Sequence, residues 1–119
     1  MTDKKPLRVM LCMAVQQNFF DATQAEQKDV WLATLALYKA LVELPGVKVL
    51  GNFDDDRIQV GASSAWPWTT YFLCDFPDYE TVVAACNLWR ITPVGDGAYK
   101  FWKYAKVEAR IGRELEFPV

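Results

Sequence analysis

The 119-residue chain contains no histidine, and this absence excludes several kinds of active site. Ser-His-Asp and Cys-His catalytic groups, the common zinc sites and haem held by a proximal histidine all require an imidazole. The sequence also has no GxGxxG or P-loop pattern, so we expect no tightly bound nucleotide. The predicted protein therefore uses no metal and no cofactor, although a loosely held flavin stays open. Any chemistry must come from carboxylates, tyrosine, lysine, arginine, asparagine or the ligand.

Cysteine is scarce, and its three copies lack the spacing of a redox or metal motif. Cys12, Cys74 and Cys86 form no CxxC pair and lie in apolar stretches. Such thiols are typical of buried free cysteines in a reducing compartment. Because no histidine can act as a base beside them, we do not expect a nucleophilic cysteine.

Concentrated positive charge and long apolar runs are missing as well. The formal net charge is -2 and the lysines and arginines are scattered, so no nucleic-acid footprint is present. No apolar run reaches the roughly 18–20 residues that a membrane helix needs. The apolar segment 7–15 is followed by Gln16, Gln17 and Asn18, which do not suit a signal-peptide cleavage site. We expect a cytoplasmic protein that binds neither nucleic acid nor membrane.

Aromatic residues, in contrast, are abundant. They make up 14% of the chain and include five tryptophans, while the apolar fraction of 52% is ordinary for a globular protein. Large aromatics line ligand pockets as well as cores. At this length we predict one domain, 1–119, with a core of useful size.

Hydrophobic periodicity divides the chain into alternating strands and helices. Thr23 and Asp78 are predicted helix N-caps, because each short polar side chain precedes an apolar stripe of helical spacing. The predicted elements are a strand at 7–15, a loop at 16–21, a helix from 23 to about 44, a strand at 47–53, a charged turn at 54–56, a short return strand at 57–61, a strand at 66–76, a helix from 78 to Pro93, a turn at 94–97 and a strand at 103–113.

The order of these elements predicts an α+β fold. With the return strand counted together with its neighbour, the order is strand, helix, strand, strand, helix, strand. This is the ferredoxin-like βαββαβ arrangement, in which two helices cover one face of a four-stranded antiparallel sheet. Since the strands are apolar on both faces, we expect a second chain to cover the other face.

Two helix–strand junctions resemble those of the dimeric α+β barrel superfamily. They are residues 41–47 (LVELPGV) and residues 75–80 (DFPDYE). By element order, the resemblance covers nearly the whole chain. In that superfamily two ferredoxin-like chains join their sheets around cavities that bind or transform small, often aromatic, molecules. The resemblance therefore implies a homodimer through the open sheet face and a small aromatic acid as ligand.

The C-terminal half carries a narrower resemblance. It is similar to a family of small proteins encoded in bacterial gene clusters for indole-3-acetate catabolism. The similar segments are 66–69 (WPWT), 84–88 (AACNL), 92–97 (TPVGDG) and 102–113 (WKYAKVEARIGR). This resemblance implies a pathway, the degradation of indole-3-acetate, more than a reaction.

The aromatic strand 66–76 supplies the predicted site. Alternation turns Phe72, Cys74 and Phe76 toward the helices and places Tyr71 and Asp75 on the inter-sheet side. We predict one pocket there, with Asp75 and Tyr71 as catalytic residues. The predicted substrate-binding residues are Gln16 and Asn18 at its mouth, Trp66, Trp68, Trp89 and Trp102 as aromatic walls, and Tyr104, Glu108 and Arg110.

The predicted chemistry is acid–base catalysis without a cofactor. A carboxylate among apolar and phenolic neighbours loses solvation, so we expect a raised pKa for Asp75. Tyr71 or Tyr104 would bind a developing oxyanion, and Arg110 a substrate carboxylate. The expected enzyme acts on indole-3-acetate or an oxidised derivative, as an isomerase, hydratase or monooxygenase.

Less specific interpretations stay open beside this one. The chain could be a non-catalytic binder or accessory protein for an unstable aromatic intermediate, or a structural module. Glu108 and Arg110 could equally form ion pairs with Arg8 or Lys106 across the dimer and have no role in binding.

Overall fold

The computed structural model describes residues 5–61 and 68–118. Four longer strands and two longer helices form most of this part of the chain. In chain order the elements are β1 (Leu7–Val15), α1 (Gln17–Phe20), α2 (Gln24–Glu43), β2 (Lys48–Asp54), β3 (Thr70–Phe76), α3 (Tyr79–Ile91), β4 (Pro93–Val94), β5 (Tyr99–Lys100), a 3-10 turn (Phe101–Lys103) and β6 (Ala105–Gly112).

The four longer strands form one antiparallel sheet in the order β2-β3-β1-β6. This confirms the predicted α+β class and the four-stranded antiparallel sheet. β4 and β5 pair with each other in a separate two-stranded hairpin. Because β1 and β3 are central, their backbone groups are bonded on both sides, while β2 and β6 form the edges.

Both predicted helix caps are confirmed. The Thr23 hydroxyl accepts a hydrogen bond from the Glu26 amide at 3.2 Å, and the Asp78 carboxylate accepts one from the Thr81 amide at 2.8 Å. These bonds satisfy amides that have no partner within the first helical turn. No helix in the described ranges is long and apolar enough to cross a membrane.

The core lies between the sheet and one face of each long helix. Full burial of a single aliphatic side chain is worth roughly 1.5–3 kcal/mol, so this layer supplies most of the stabilisation. From α2 it contains Val30, Ala33, Leu37 and Leu41, from α3 Val82, Ala85, Leu88 and Trp89, and from the sheet Val9, Leu11, Met13, Phe72, Cys74 and Phe76.

Several predicted boundaries are wrong. The predicted loop 16–21 contains the short helix α1, and the predicted return strand 57–61 has no strand structure. Ile58 and Val60 in that stretch are 80% and 90% exposed, so neither side chain packs into the core. β3 starts at Thr70, and the predicted strand start at Trp66 lies outside the described residues.

Candidate functional site

The side of the sheet away from the helices, called here the open face, carries the residues on which the sequence prediction centred. The registers place Tyr71 opposite Cys12, Cys12 opposite Glu108, and Asp75 opposite Arg8. The predicted assignment of strand faces is therefore confirmed for Tyr71 and Asp75. Directly opposed residues project to the same face of an antiparallel sheet.

Asp75 is held by an ion pair across the β1–β3 ladder. Arg8 Nε donates to Asp75 Oδ1 at 2.6 Å, and both side chains are largely shielded from solvent. This hydrogen bond raises the pKa of the Arg8 guanidinium. An open hollow of about 520 Å³ borders the pair, and its other walls come from charged residues near the chain ends, including Lys5, Arg113 and Glu114. The arrangement supplies Asp75 with a permanent cationic partner.

Tyr71 is anchored at the other end of the same strand. Its ring stacks on Phe53, with centroids 4.8 Å apart and an interplanar angle of 27°. Its hydroxyl lies 2.9 Å from both Asp55 Oδ2 and the Trp68 carbonyl oxygen, so these two acceptors compete for its proton. The phenol therefore ties together the two ends of the segment that links β2 to β3.

Tyr71 and Asp75 do not converge on one point. They are four residues apart on one strand, which at the usual rise corresponds to about 13 Å between their Cα atoms. Acid–base partners in a single reaction must reach the same small group of atoms. The open face thus presents two separate polar contacts, each with its own partner.

Glu108 and Arg110 pair with each other along the outer edge strand β6. Arg110 Nη2 lies 2.9 Å from Glu108 Oε2, and both side chains are roughly half exposed. The adjacent Cys12 is completely buried, and burial raises the pKa of its thiol although nearby Arg110 acts against this. Both members of this ion pair belong to the same strand.

Tyr104 and Trp89 lie in the core on the helix side, and their predicted place at the open face is wrong. The Tyr104 hydroxyl donates to Glu26 Oε2 on α2 at 2.7 Å, and burial together with this carboxylate raises its pKa to about 12. Trp89 is fully buried edge-on to Phe101, with centroids 6.4 Å apart. For Tyr104 the cause is the 3-10 turn, which ends strand alternation before Ala105. Trp89 belongs to the buried face of α3.

The remaining predicted residues lie around the ends of β1 and the 3-10 turn. Gln16 Nε2 donates to the Trp102 carbonyl at 3.2 Å and Asn18 Nδ2 to the Lys103 carbonyl at 2.9 Å, so both amides fasten α1 to this turn. Trp102 is 44% exposed. The Trp68 ring lies 5.8 Å from Lys106 Nζ, and Trp66 is outside the described residues.

A largely apolar hollow lies on the opposite side of the sheet, between α2 and the strands. It consists of a cavity of about 580 Å³ and a smaller one of about 180 Å³, and both are lined by Met13, Trp31, Thr34 and Thr70. We call this space the α2 groove. Its other lining residues are Leu35, Tyr38, Asn52, Phe53, Asp54 and Phe72 in the larger cavity, and Val15, Phe19, Val30, Phe101, Tyr104 and Ala105 in the smaller one.

The groove exists because α2 does not fully cover its half of the sheet. Trp31 and Leu35 are 61% and 51% exposed, although both belong to the apolar stripe of the helix. The ring of Tyr38 meets that of Phe72 at 5.7 Å with a tilt of 40°, which closes one end. In the sequence, Trp31, Leu35 and Tyr38 widen the apolar stripe of this helix, a pattern that periodicity alone attributes to core packing.

Within the described ranges, no three cysteine or acidic side chains come close enough to hold a metal ion. Comparison of the chain with models of protein families, with curated proteins and with solved structures gave no match.

Proposed function

We propose that this chain binds a small aromatic molecule in the α2 groove. The observation that carries the proposal is the size and lining of the groove. At about 580 Å³ with an extension of about 180 Å³, it falls in the range of small-molecule sites and has aromatic side chains along its walls. A flat ring system can stack on Trp31 and Tyr38 and be held by the hydrophobic effect.

The exposed indole of Trp31 offers a direct test. We expect indole-type compounds to quench tryptophan fluorescence with saturation, and Trp31→Ala to weaken their binding at least tenfold. Trp31 is 61% exposed, so the substitution leaves the core intact. Trp102→Ala is the matched control, since Trp102 is 44% exposed and does not line the groove. Equal binding by both variants would refute the groove as the site.

The pathway implied by the sequence resemblance gives two candidate roles for this ligand. The chain is either a cofactor-independent enzyme acting on indole-3-acetate or an oxidised derivative, or a non-catalytic binder of an unstable aromatic intermediate. The second role is favoured by one observation: Asp75 and Tyr71 each have a partner, are about 13 Å apart, and lie across the sheet from the groove. The enzyme role requires a product, and a catalytic Asp75 requires that Asp75→Asn abolish its formation.

Mass detection of products from indole-3-acetate and its oxidised derivatives separates the two roles. Turnover that survives Asp75→Asn removes that residue from catalysis, while saturable binding without any product supports the binder.

We also infer a ferredoxin-like fold that forms a homodimer through the open face. The strand order β2-β3-β1-β6, with both long helices packed on one side, supports the first inference. Met10 and Leu73 support the second, because they face each other across β1 and β3 and Leu73 is 40% exposed. Apolar groups at the centre of a bare sheet are typical of a contact surface.

Light scattering tests this dimer. We expect twice the mass of one chain for the wild type and a single-chain mass for Leu73→Glu. Val83→Glu is the control, since Val83 is 68% exposed on α3, away from the open face. A wild-type protein that is monomeric at high micromolar concentration would contradict the inference.

A further inference from the structure

The α2 groove has an uneven charge. Asp54 is the one charged side chain that lines either of its cavities, and neither lysine nor arginine does so among the described residues. Arg110, predicted from sequence to hold a substrate carboxylate, projects from the opposite side of the sheet and is paired with Glu108. A carboxylate bound in the groove would therefore meet an acid and no cation.

We propose that the groove selects aromatic amines over aromatic acids. Asp54 determines this selectivity, because its carboxylate attracts an ammonium group and repels a carboxylate. This inference rests on the proposed function, because it names the ligand class of the same site, and it stands against the aromatic acid that the sequence resemblance implies. Asp54 ends β2 opposite Thr70, and both residues line the larger cavity. An aromatic ring between Trp31 and Phe72 would place a short aminoalkyl substituent toward this end.

The surroundings of Asp54 leave it able to receive a cation. Its Oδ1 accepts one hydrogen bond, from the Asp56 amide at 3.3 Å, and no described lysine or arginine forms an ion pair with it. Asp55 and Asp56 follow directly and Arg57 comes next, so the segment 54–57 is acidic overall. Asn52 adds an amide that can accept from an ammonium group.

Trp31 provides a second preference for positive charge. An ammonium group near the face of an indole ring is stabilised by the ring quadrupole, whereas a carboxylate is not. Because Trp31 lines both cavities, a ligand seated in either cavity lies beside this ring. Asp54 and Trp31 thus act in the same direction, and both disfavour an acid.

Three probes with one ring system test the proposal: tryptamine, 3-methylindole and indole-3-acetate. At pH 7 they carry a positive charge, no charge and a negative charge. We expect the dissociation constant to rise in that order, with about a tenfold advantage of the amine over the acid at low salt, a size typical of partly exposed charges. The advantage should shrink as salt is added.

Substitutions at Asp54 should change selectivity and leave the affinity for 3-methylindole unchanged. Asp54→Asn is expected to bring the three dissociation constants within about twofold, and Asp54→Lys to reverse the order. Asp56→Asn is the matched control, because it removes the same charge from a residue that does not line the groove.

The possible failures are distinguishable. If the wild type binds indole-3-acetate as tightly as tryptamine while Trp31→Ala still weakens both, the charge selectivity is refuted and the site stands. If none of the three probes binds, the proposed function fails and this inference fails with it. If Asp56→Asn changes selectivity as much as Asp54→Asn does, the specific role of Asp54 is refuted.

Discussion

Gly46 and Pro77 meet where two chain reversals come together. A Cβ atom added to Gly46 would lie 2.9 Å from Pro77 Cγ, which is closer than non-bonded carbons approach. Gly46 follows α2, and Pro77 follows β3. These two residues belong to the helix–strand junctions 41–47 and 75–80, which pack against each other in the structure. The contact couples the exit of one helix to the entrance of the next.

Gly46→Ala should therefore destabilise the fold by about 1–3 kcal/mol. Gly46 has φ 77°, a left-handed conformation that costs non-glycine residues energy, and the new methyl group would also press on Pro77. Urea unfolding followed by circular dichroism measures the loss as a lower midpoint with an unchanged slope.

Gly51→Ala is the control for this prediction. Gly51 lies in β2 with open space around its Cβ position and no positive φ. The substitution should change the free energy of unfolding by less than about 0.5 kcal/mol. Equal effects of the two substitutions would mean that the Gly46–Pro77 packing is not what constrains the junction.

Tyr104→Phe should cost about 1–2 kcal/mol at neutral pH. The variant keeps the buried ring but removes the hydroxyl that donates to Glu26 at 2.7 Å, and a bond to a charged acceptor is worth more than one to a neutral acceptor. Chemical denaturation at pH 7 measures this loss. Tyr38→Phe serves as the control, because it removes a hydroxyl from the same helix–sheet layer outside the Glu26 bond. A Tyr104→Phe variant as stable as Tyr38→Phe would contradict the assigned role.

The same hydroxyl predicts a loss of stability in alkali. Burial and Glu26 raise the Tyr104 pKa from its ordinary 10.0 to about 12. Between these values the unfolded chain releases a proton that the folded chain keeps, so stability falls as the pH rises. We expect the stability of the wild type to decline from pH 10 to 12 more steeply than that of Tyr104→Phe. Parallel declines would show that this group does not contribute.

The thiol of Cys74 should cause a similar decline in stability, which begins one pH unit lower. Burial, assisted by the nearby Asp75, raises the pKa of its thiol from 9.0 to about 11. The neutral thiol is favoured in the folded state, so its contribution is complete below pH 9 and is lost as the pH rises toward 11. Cys74→Ala lowers stability at every pH through lost packing but should flatten the curve between pH 9 and 11. An unchanged slope in this variant would contradict the assignment.

The layers of the fold were accessible from sequence because they follow from repeating local rules. Alternation along β3 predicted correctly that Phe72, Cys74 and Phe76 are buried against the helices. The two caps were readable because a short polar side chain at Thr23 or Asp78 satisfies the first free amides of a helix. Such rules need no knowledge of distant parts of the chain.

Which of the site residues contact each other could not be predicted from the sequence. Strand alternation predicts the face on which a side chain lies but not its partner. It therefore did not predict that Arg8 forms an ion pair with Asp75. It also assumes an uninterrupted strand, and the 3-10 turn at Phe101–Lys103 reverses its result for Tyr104. The α2 groove depends on how far a helix covers a sheet, which is a tertiary property. A broad apolar stripe cannot distinguish full coverage from partial coverage.

The last prediction concerns the Arg8–Asp75 ion pair and tests whether Asp75 stabilises the fold. If Asp75 serves the sheet, Arg8→Ala and Asp75→Ala should each lower the unfolding midpoint, because each leaves a largely shielded charge without its partner. The double variant should then lose less stability than the two single losses added together, since residues in direct contact are coupled. Thermal or urea unfolding of the four proteins provides the complete cycle. Additive losses would show that the 2.6 Å contact contributes nothing to folding. In that case a structural role would not explain Asp75, and a role in ligand binding would be the remaining explanation.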